Sequence, residues 1–398
     1  MRAGGAGVDP RPDNGEEGAM AITLPTRHGI LARLRAHAGL WLALVLAPIA
    51  LIRALQLAER LGPPRDPVVL FDAAAYMAAA SRAAAGLPLY LPLQIDGAYP
   101  ASGLSLYLYP PLFAQLIAPL AGVDPLAIGT IFVVVSFAAA AVALLAIGRA
   151  AGAPRVLLAG VIAALLLIPG GFTTLVTANI EYAIVALLAS AIALLPRRPM
   201  VAGALIAIAV LWKPLLFPLG LWLLARRERR PIVGALTLGG AAMMGSLVVG
   251  GIAPWSDYLR ATANLTSMGL VGVTYSLGDL ARTLVGPAAL PLLALLFALT
   301  LGWLAPRRPR AALLLAVAGG IFAAPVIWGR YLLLLLPFVV VARDRLARAA
   351  LLTALAIGTI EPRIDGSDSP VLRLAVTIGV VGSLALAAAR IDRERDRG

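Results

Sequence analysis

The sequence predicts an all-α protein, a polytopic bundle of membrane-embedded helices. Three observations carry that expectation. Of 398 residues, 61% are hydrophobic and only 13% charged, whereas a soluble domain carries roughly 25% charge and about 45–50% apolar residues. The mean hydropathy is +0.91. The apolar runs are continuous rather than alternating, so the spans are helices and not barrel strands.

The elements follow in order. Residues 1–25 are rich in Gly, Pro and acids and are expected to be a disordered tail. Residues 26–398 are expected to form one transmembrane domain. Arg27, Arg33 and Arg35 precede an apolar run at 38–57, too long for a signal-peptide core and without a cleavage site, so it is read as an uncleaved first span. Further apolar runs lie near 104–121, 126–147, 156–169, 179–195, 200–225, 232–252, 284–304, 311–323, 331–342, 349–360 and 374–389. About 12 membrane segments result. Several runs have only 12–14 residues, ~18–21 Å of helix against a ~30 Å hydrocarbon core. Short or broken helices of that kind are tolerated where they line a protein-buried or watery cavity.

Arginines cluster at 149/155, 197/198, 226–230, 307–310, 343–348 and from 390 onward. If every cluster is cytoplasmic, 104–121 must be re-entrant or confined to the outer leaflet, and 200–225 must be two short half-helices broken at Pro214. The rival arrangement makes both single spans and puts Arg149, Arg155, Arg197 and Arg198 outside. Charge bias favours the first. Both place the two termini in the cytoplasm, with 58–103 as the first extracytoplasmic loop. No internal repeat is evident, which weakens an inverted-repeat transporter.

The charge of +13 therefore reads as membrane orientation. No aromatic-interleaved basic domain exists to bind nucleic acid. Cysteine is absent and the two histidines, His28 and His37, sit in the basic N-terminal segment, so no thiolate or His-based metal centre is expected. No acidic group is arranged as a Ca²⁺ loop, and neither a divalent metal nor any other cofactor is supported. Lys213 is the single lysine, inside an apolar run. A charge at membrane depth costs at least ~2.5–3.5 kcal/mol on insertion scales and usually faces a cavity or a partner. Snorkelling to an interface, or pairing with an acid such as Glu181, is the reading the residues themselves give.

In the first outer loop, the Ala-rich stretch from Phe71 to Gly86 should be helical. Asp72 and Tyr76 share a face at i, i+4, and the Ala and Met face is expected on the membrane surface, as in an interfacial helix. A carboxylate held there can serve as a general base, or merely favour the helix N-terminus. Tyr107-Leu108-Tyr109-Pro110-Pro111 follows, with tyrosines suited to an interface belt. Trp255, Asp257, Tyr258 and Tyr275 lie in 253–283, either a sugar-binding rim or interface aromatics.

These residues resemble a known family. Asp72-x3-Tyr76 with Gly86-x3-Tyr90, then Tyr107-x-Tyr109-Pro110-Pro111-Leu112, is similar to the opening of glycosyltransferase family 87, polyprenyl-phosphate-mannose-dependent α-mannosyltransferases of the GT-C superfamily. Ala178-Asn179-Ile180-Glu181, then Ala202-Gly203 with Lys213-Pro214, then Ala324-Pro325-Val326-Ile327-Trp328-Gly329-Arg330-Tyr331 with Pro337, agree in order. Arg330 stands where the family usually has His, Glu181 where it has Asn, and Ala324 and Ile327 where it has Ser.

The resemblance implies a GT-C-like fold and an inverting glycosyltransferase of the cell membrane. It would move a sugar, mannose first, from a polyprenyl-phosphate carrier to a lipid-linked or glycan acceptor on the extracytoplasmic face. Asp72 is the implied base, with Asp66 the runner-up. Lys213, Arg330, Tyr76, Tyr109, Arg82, Glu181, Asn179, Trp328 and Tyr331 are the candidate substrate-binding residues. The competing classes are a polytopic transporter or flippase and an inactive relative of the enzyme.

Overall fold

The computed structural model describes residues 38–62, 66, 68–97, 106–267, 286, 289–323, 329–360, 363–364, 367–368 and 370–392. The expected tail at 1–25, Tyr275 and Trp328 lie outside them. Two compact units divide the chain, Met1–Leu44 and Val45–Gly398. Of the first, only the start of one helix is described. The account below concerns the second.

Besides a single helical turn at Pro92–Ile95, the described α-helices are α1 Ala38–Leu61, α2 Phe71–Ala84, α3 Pro111–Ile117, α4 Pro125–Ala150, α5 Arg155–Leu167, α6 Pro169–Thr177, α7 Glu181–Leu194, α8 Pro199–Trp212, α9 Pro218–Arg226, α10 Arg229–Gly250, α11 Ala253–Ser267, α12 Ala289–Leu304, α13 Pro309–Ala323, α14 Leu336–Val341, α15 Arg345–Ile357 and α16 Pro370–Arg390. Short 3-10 stretches cover Ala118–Leu120, Pro214–Leu216 and Gly329–Leu335. One two-residue ladder pairs Arg363 with Asp368 and Ile364 with Ser367.

Proline sets many of the starts. Pro111, Pro125, Pro169, Pro199 and Pro218 each occupy a first helical position, where the missing N–H leaves no bond unmade. Asp124 caps α4, accepting from the amides of Leu126 and Ala127. Leu-x-Pro-Arg-Arg-Pro occurs twice, at 194–199 and 304–309, a local repeat that the apolar pattern hides. The two turns fold alike: Arg198 N–H to Leu194 O and Arg308 N–H to Leu304 O are both 2.7 Å.

Among the described residues, three stretches of helix are long and apolar enough to cross a bilayer: Leu42–Leu61, Pro125–Ala150 and Arg229–Gly250. The bent pair α5–α6, broken by 54°, makes a fourth; the other apolar helices are shorter. Arg53 of α1 supports that break, donating to the Leu167 carbonyl at 3.1 Å while its guanidinium lies 4.8 Å above the Phe172 ring. The outward faces are oily. Leu236 is 70% and Val248 80% exposed on α10, the pattern of a chain whose solvent on that side is lipid.

Residues 150–151, 195–197, 199, 226, 228, 309–310, 341, 343 and 391 line one cavity, so the arginine-bearing turns gather at one end of the bundle. Helices α7 and α8 run from there to the other end, ~21 Å for 14 residues each. Segment 106–121 does not make that traverse, for Ala121 O accepts from Ser81 Oγ of α2 and the Tyr109 ring packs 5.1 Å from that of Tyr76 on the same helix. Segment 200–225 makes it twice, breaking at Lys213. Helices α8 and α10 cross with almost no gap. A Cβ on Gly203 would sit 1.8 Å from Pro231 O, and one on Gly234 would sit 1.9 Å from Met200 O, so only glycine allows the contact.

One expectation needs correcting here. The Ala and Met face of α2 does not lie open to lipid: Ala73, Ala75, Met77, Ala79 and Ala80 are all buried under α3, α4 and α6. Alanine lets helices approach closely, and the neighbours occupy that face.

Candidate functional site

The site forms where α2, α6–α7, the break after α8 and the 3-10 stretch Gly329–Leu335 converge. Backbone strain marks two of these approaches. Leu70, just before α2, and Ala178, just after α6, both adopt left-handed backbone, with φ of 61° and 53°. Such residues cost about 1–3 kcal/mol each and persist where the surroundings over-determine them. Leu70 N–H is tied to Val176 O at 2.8 Å. The strain fixes where Asp72 and Asn179 point.

Asp72 Oδ2 accepts from Asn179 Nδ2 at 2.7 Å and from Arg330 at 3.4 Å. Arg330 Nε also lies 3.6 Å from Glu181 Oε1, and Lys213 Nζ donates to that same oxygen. Two acids and two bases thus form one neutral chain, Asp72–Arg330–Glu181–Lys213. Lys213 further sits 4.1 Å from the centre of the Tyr331 ring, a cation–π contact. Tyr109 donates to Asn179 Oδ1 at 3.2 Å.

The chain has a closed end and a more open one. The Glu181 and Lys213 side chains are 0% and 5% exposed, those of Asp72 and Arg330 12% each. Glu181 Oε2 is buried with no hydrogen-bond partner among the described residues. Unsatisfied buried acceptors of this kind are uncommon and need a reason. Asp72 Oδ1 accepts no hydrogen bond among the described residues, so its lone pairs are free.

Gly170 holds Arg330 in place. A Cβ there would meet Arg330 Cα at 2.7 Å and Gly329 O at 2.7 Å, so α6 carries glycine where the 3-10 backbone presses on it. Nothing in the apolar pattern singles out this glycine.

An aromatic wall backs the site. The Tyr76 ring meets Tyr109 at 5.1 Å and Phe113 at 5.0 Å, both edge to face, and Phe113 meets Trp212 at 5.6 Å. The loop tyrosines are scaffold and not an interface belt. Tyr107 donates to Pro110 O and Tyr90 to Tyr109 O, both at 2.6 Å, and Gln94 donates to Tyr107 O. Burial pushes both phenols well above their ordinary pKa, so they stay neutral donors. Trp255 donates to Ser246 Oγ at 3.0 Å and Tyr258 packs 6.0 Å from the Tyr90 ring, which ties α11 to the bundle.

Of the sequence candidates, the structure brings together Asp72, Tyr76, Tyr109, Asn179, Glu181, Lys213, Arg330 and Tyr331. Asp66 is elsewhere, paired with Arg60 at 2.9 Å and accepting from Val68 N–H. Among the described residues, no hydrogen bond or ion pair joins Arg82 to the cluster. No group of three or more His, Asp or Glu is placed to hold a metal among those residues.

An oily helical bundle that buries a four-charge cluster at one end is the build of an integral-membrane protein with a polar interior site. The chain belongs to glycosyltransferase family 87, whose sequence profile matches residues 107–337; it is a membrane glycosyltransferase. Among curated proteins, none matches the chain.

Proposed function

We propose that the protein is an inverting hexosyltransferase of the cell membrane. It takes a sugar, mannose first, from a polyprenyl-phosphate carrier and passes it to a lipid-linked or glycan acceptor on the extracytoplasmic side. Loop 58–103, which carries Asp72, lies on that side, and the termini and arginine-rich turns face the cytoplasm. The arginine distribution supports this orientation. The observation that carries the reading is the meeting of Asp72, Asn179, Glu181, Lys213 and Arg330 in one cluster, from segments far apart in sequence.

The chemistry is a single displacement. An acceptor hydroxyl oxygen bonds to the anomeric carbon as the carbon–oxygen bond to phosphate breaks, and the polyprenyl phosphate leaves. Asp72 Oδ1 takes the hydroxyl proton. Asn179 and Arg330 hold the other carboxylate oxygen and keep Oδ1 aimed. Arg330 gives charge-assisted hydrogen bonds to the departing phosphate. Lys213 balances Glu181, so that Arg330 is not cancelled by two acids at once. The surrounding apolar helices exclude water from the sugar and supply the surface along which an isoprenoid tail lies.

The test compares membranes containing wild type or Asp72→Asn, each given labelled polyprenyl-phosphate-mannose. Loss of a general base is expected to slow transfer by about 10²–10⁴-fold. Transfer unchanged in the variant removes Asp72 as base. Lipid movement without transfer, in wild type, supports a flippase instead, and no turnover with any polyprenyl-phosphate sugar supports an inactive relative.

A further inference from the structure

At the end of the bundle away from Asp72 lies a cavity of about 620 Å³, within the range of ordinary small-ligand sites (~300–1,000 Å³). Four arginines line it, each from a different segment: Arg197 from the α7–α8 turn, Arg226 from the end of α9, Arg310 from the start of α13 and Arg343 from the stretch after α14. The acid in the lining is Glu228, and it is already paired with Arg226, whose guanidinium also lies 5.1 Å from the centre of the Trp222 ring. Asp344 and Asp392 stand beside the cavity in sequence, but their carboxylates cap Ala347 N–H and Ala311 N–H. Among the described residues, Arg197, Arg310 and Arg343 make no ion pair. Three arginines without an acid partner among the described residues therefore line one hollow.

The wall beneath them is apolar. Leu313, Phe338, Val341 and Ile391 line the same cavity and belong to or adjoin helices of the oily bundle. Trp222 is pinned there by its bond to Pro309 O at 3.2 Å. A purely ionic ligand gains nothing from such a wall. An anion attached to a hydrocarbon chain satisfies both parts, and an anionic phospholipid is such a molecule.

We propose that this cavity is a binding site for the phosphate headgroup of an anionic phospholipid, with the start of its acyl chains against Phe338 and Leu313. Arginine matches phosphate with paired donors, and basic pockets between membrane helices commonly take such headgroups. The site is separate from the charge cluster at Asp72 and does not depend on which sugar the enzyme transfers. Bound lipid would tie the α7–α8 turn to the α12–α13 turn, the two copies of the Pro-Arg-Arg-Pro sequence.

The test uses the purified full chain in neutral detergent and native mass spectrometry. It is titrated with short-tailed phosphatidylglycerol, with phosphatidylcholine of the same tails, with glycerol phosphate and with inorganic phosphate. The phosphatidylglycerol adduct is expected at the lowest concentration, resisting competition by phosphatidylcholine and by both soluble phosphates. Changing Arg197, Arg310 and Arg343 together to Gln should weaken it by on the order of 100-fold, about fivefold per charge. Leu313→Trp, which fills the apolar wall without touching a charge, should also weaken it. Equal binding of phosphatidylcholine, equal binding of inorganic phosphate, or undiminished phosphatidylglycerol binding by the folded triple variant would each overturn the proposal. Should the triple variant not fold, the ligand comparison on wild type and the Leu313→Trp result decide.

Discussion

Asn179 donates to Asp72 across 107 positions of sequence, at 2.7 Å and in full burial of the amide. The other end of that amide accepts from Tyr109, so the carboxamide cannot rotate without breaking both bonds. The bond holds Oδ2 of the carboxylate and leaves Oδ1 without a hydrogen bond among the described residues. Asn179→Ala removes a hydrogen bond to a charged group, worth about 1.5–3 kcal/mol. Sugar transfer should fall at least tenfold through kcat, with a smaller change in the KM for the acceptor. Steady-state kinetics with labelled donor check this, and a change in KM alone would assign Asn179 to binding.

The Glu181–Lys213 pair is closed from solvent, so removing one partner leaves an uncompensated buried charge. That costs about 3–5 kcal/mol. Glu181→Gln and Lys213→Met should each lower the thermal midpoint of the detergent-solubilised protein sharply. The double variant should be less destabilised than the sum of the two, because neither charge is then stranded. Additive losses would show that the two side chains do not form the pair described.

Asp66 and Asp72 lie six positions apart and their environments differ. Asp66 pairs with Arg60 at the surface, the two side chains 29% and 38% exposed, where such a pair is worth about 0–1 kcal/mol. Asp66→Asn should therefore keep most of its transfer activity and most of its stability. A loss of activity equal to that of Asp72→Asn, in the same membrane assay, would reverse the assignment of the base.

Much of the fold was legible because membrane burial writes itself in composition. The arginine pattern points to a break of 200–225 at Pro214, and the helix there ends at Trp212, just before Lys213; the bend after Leu167 has no such signal. The ion pair of Lys213 with Glu181 was one of two open readings of a lone lysine at membrane depth. Other features were hidden for physical reasons. Alanine is equally at home against lipid or a neighbouring helix, so the covered face of α2 had no signature. A buried hydrogen-bonding tyrosine such as Tyr107 reads like one at an interface. The approach of Arg330 to Asp72 joins residues 258 positions apart, and no local pattern encodes it.

Gly170 offers a test of that approach without removing any charge. A methyl group there would fall 2.7 Å from both Arg330 Cα and Gly329 O, and 2.8 Å from Arg330 N. All three are backbone atoms, which cannot swing aside, so α6 and the 3-10 stretch must separate. Arg330 then moves away from Asp72 and Glu181, and a misplacement of about 1 Å can cost on the order of 100-fold in rate. Gly170→Ala is expected to lose most transfer activity while keeping every ionisable group. Gly220→Ala is the control, because a Cβ at that position meets nothing within 4 Å. The comparison is made on folded protein, judged by helicity and by a single elution peak in detergent. Equal activity in the two variants would mean that the seat of Arg330 on α6 does not govern the reaction.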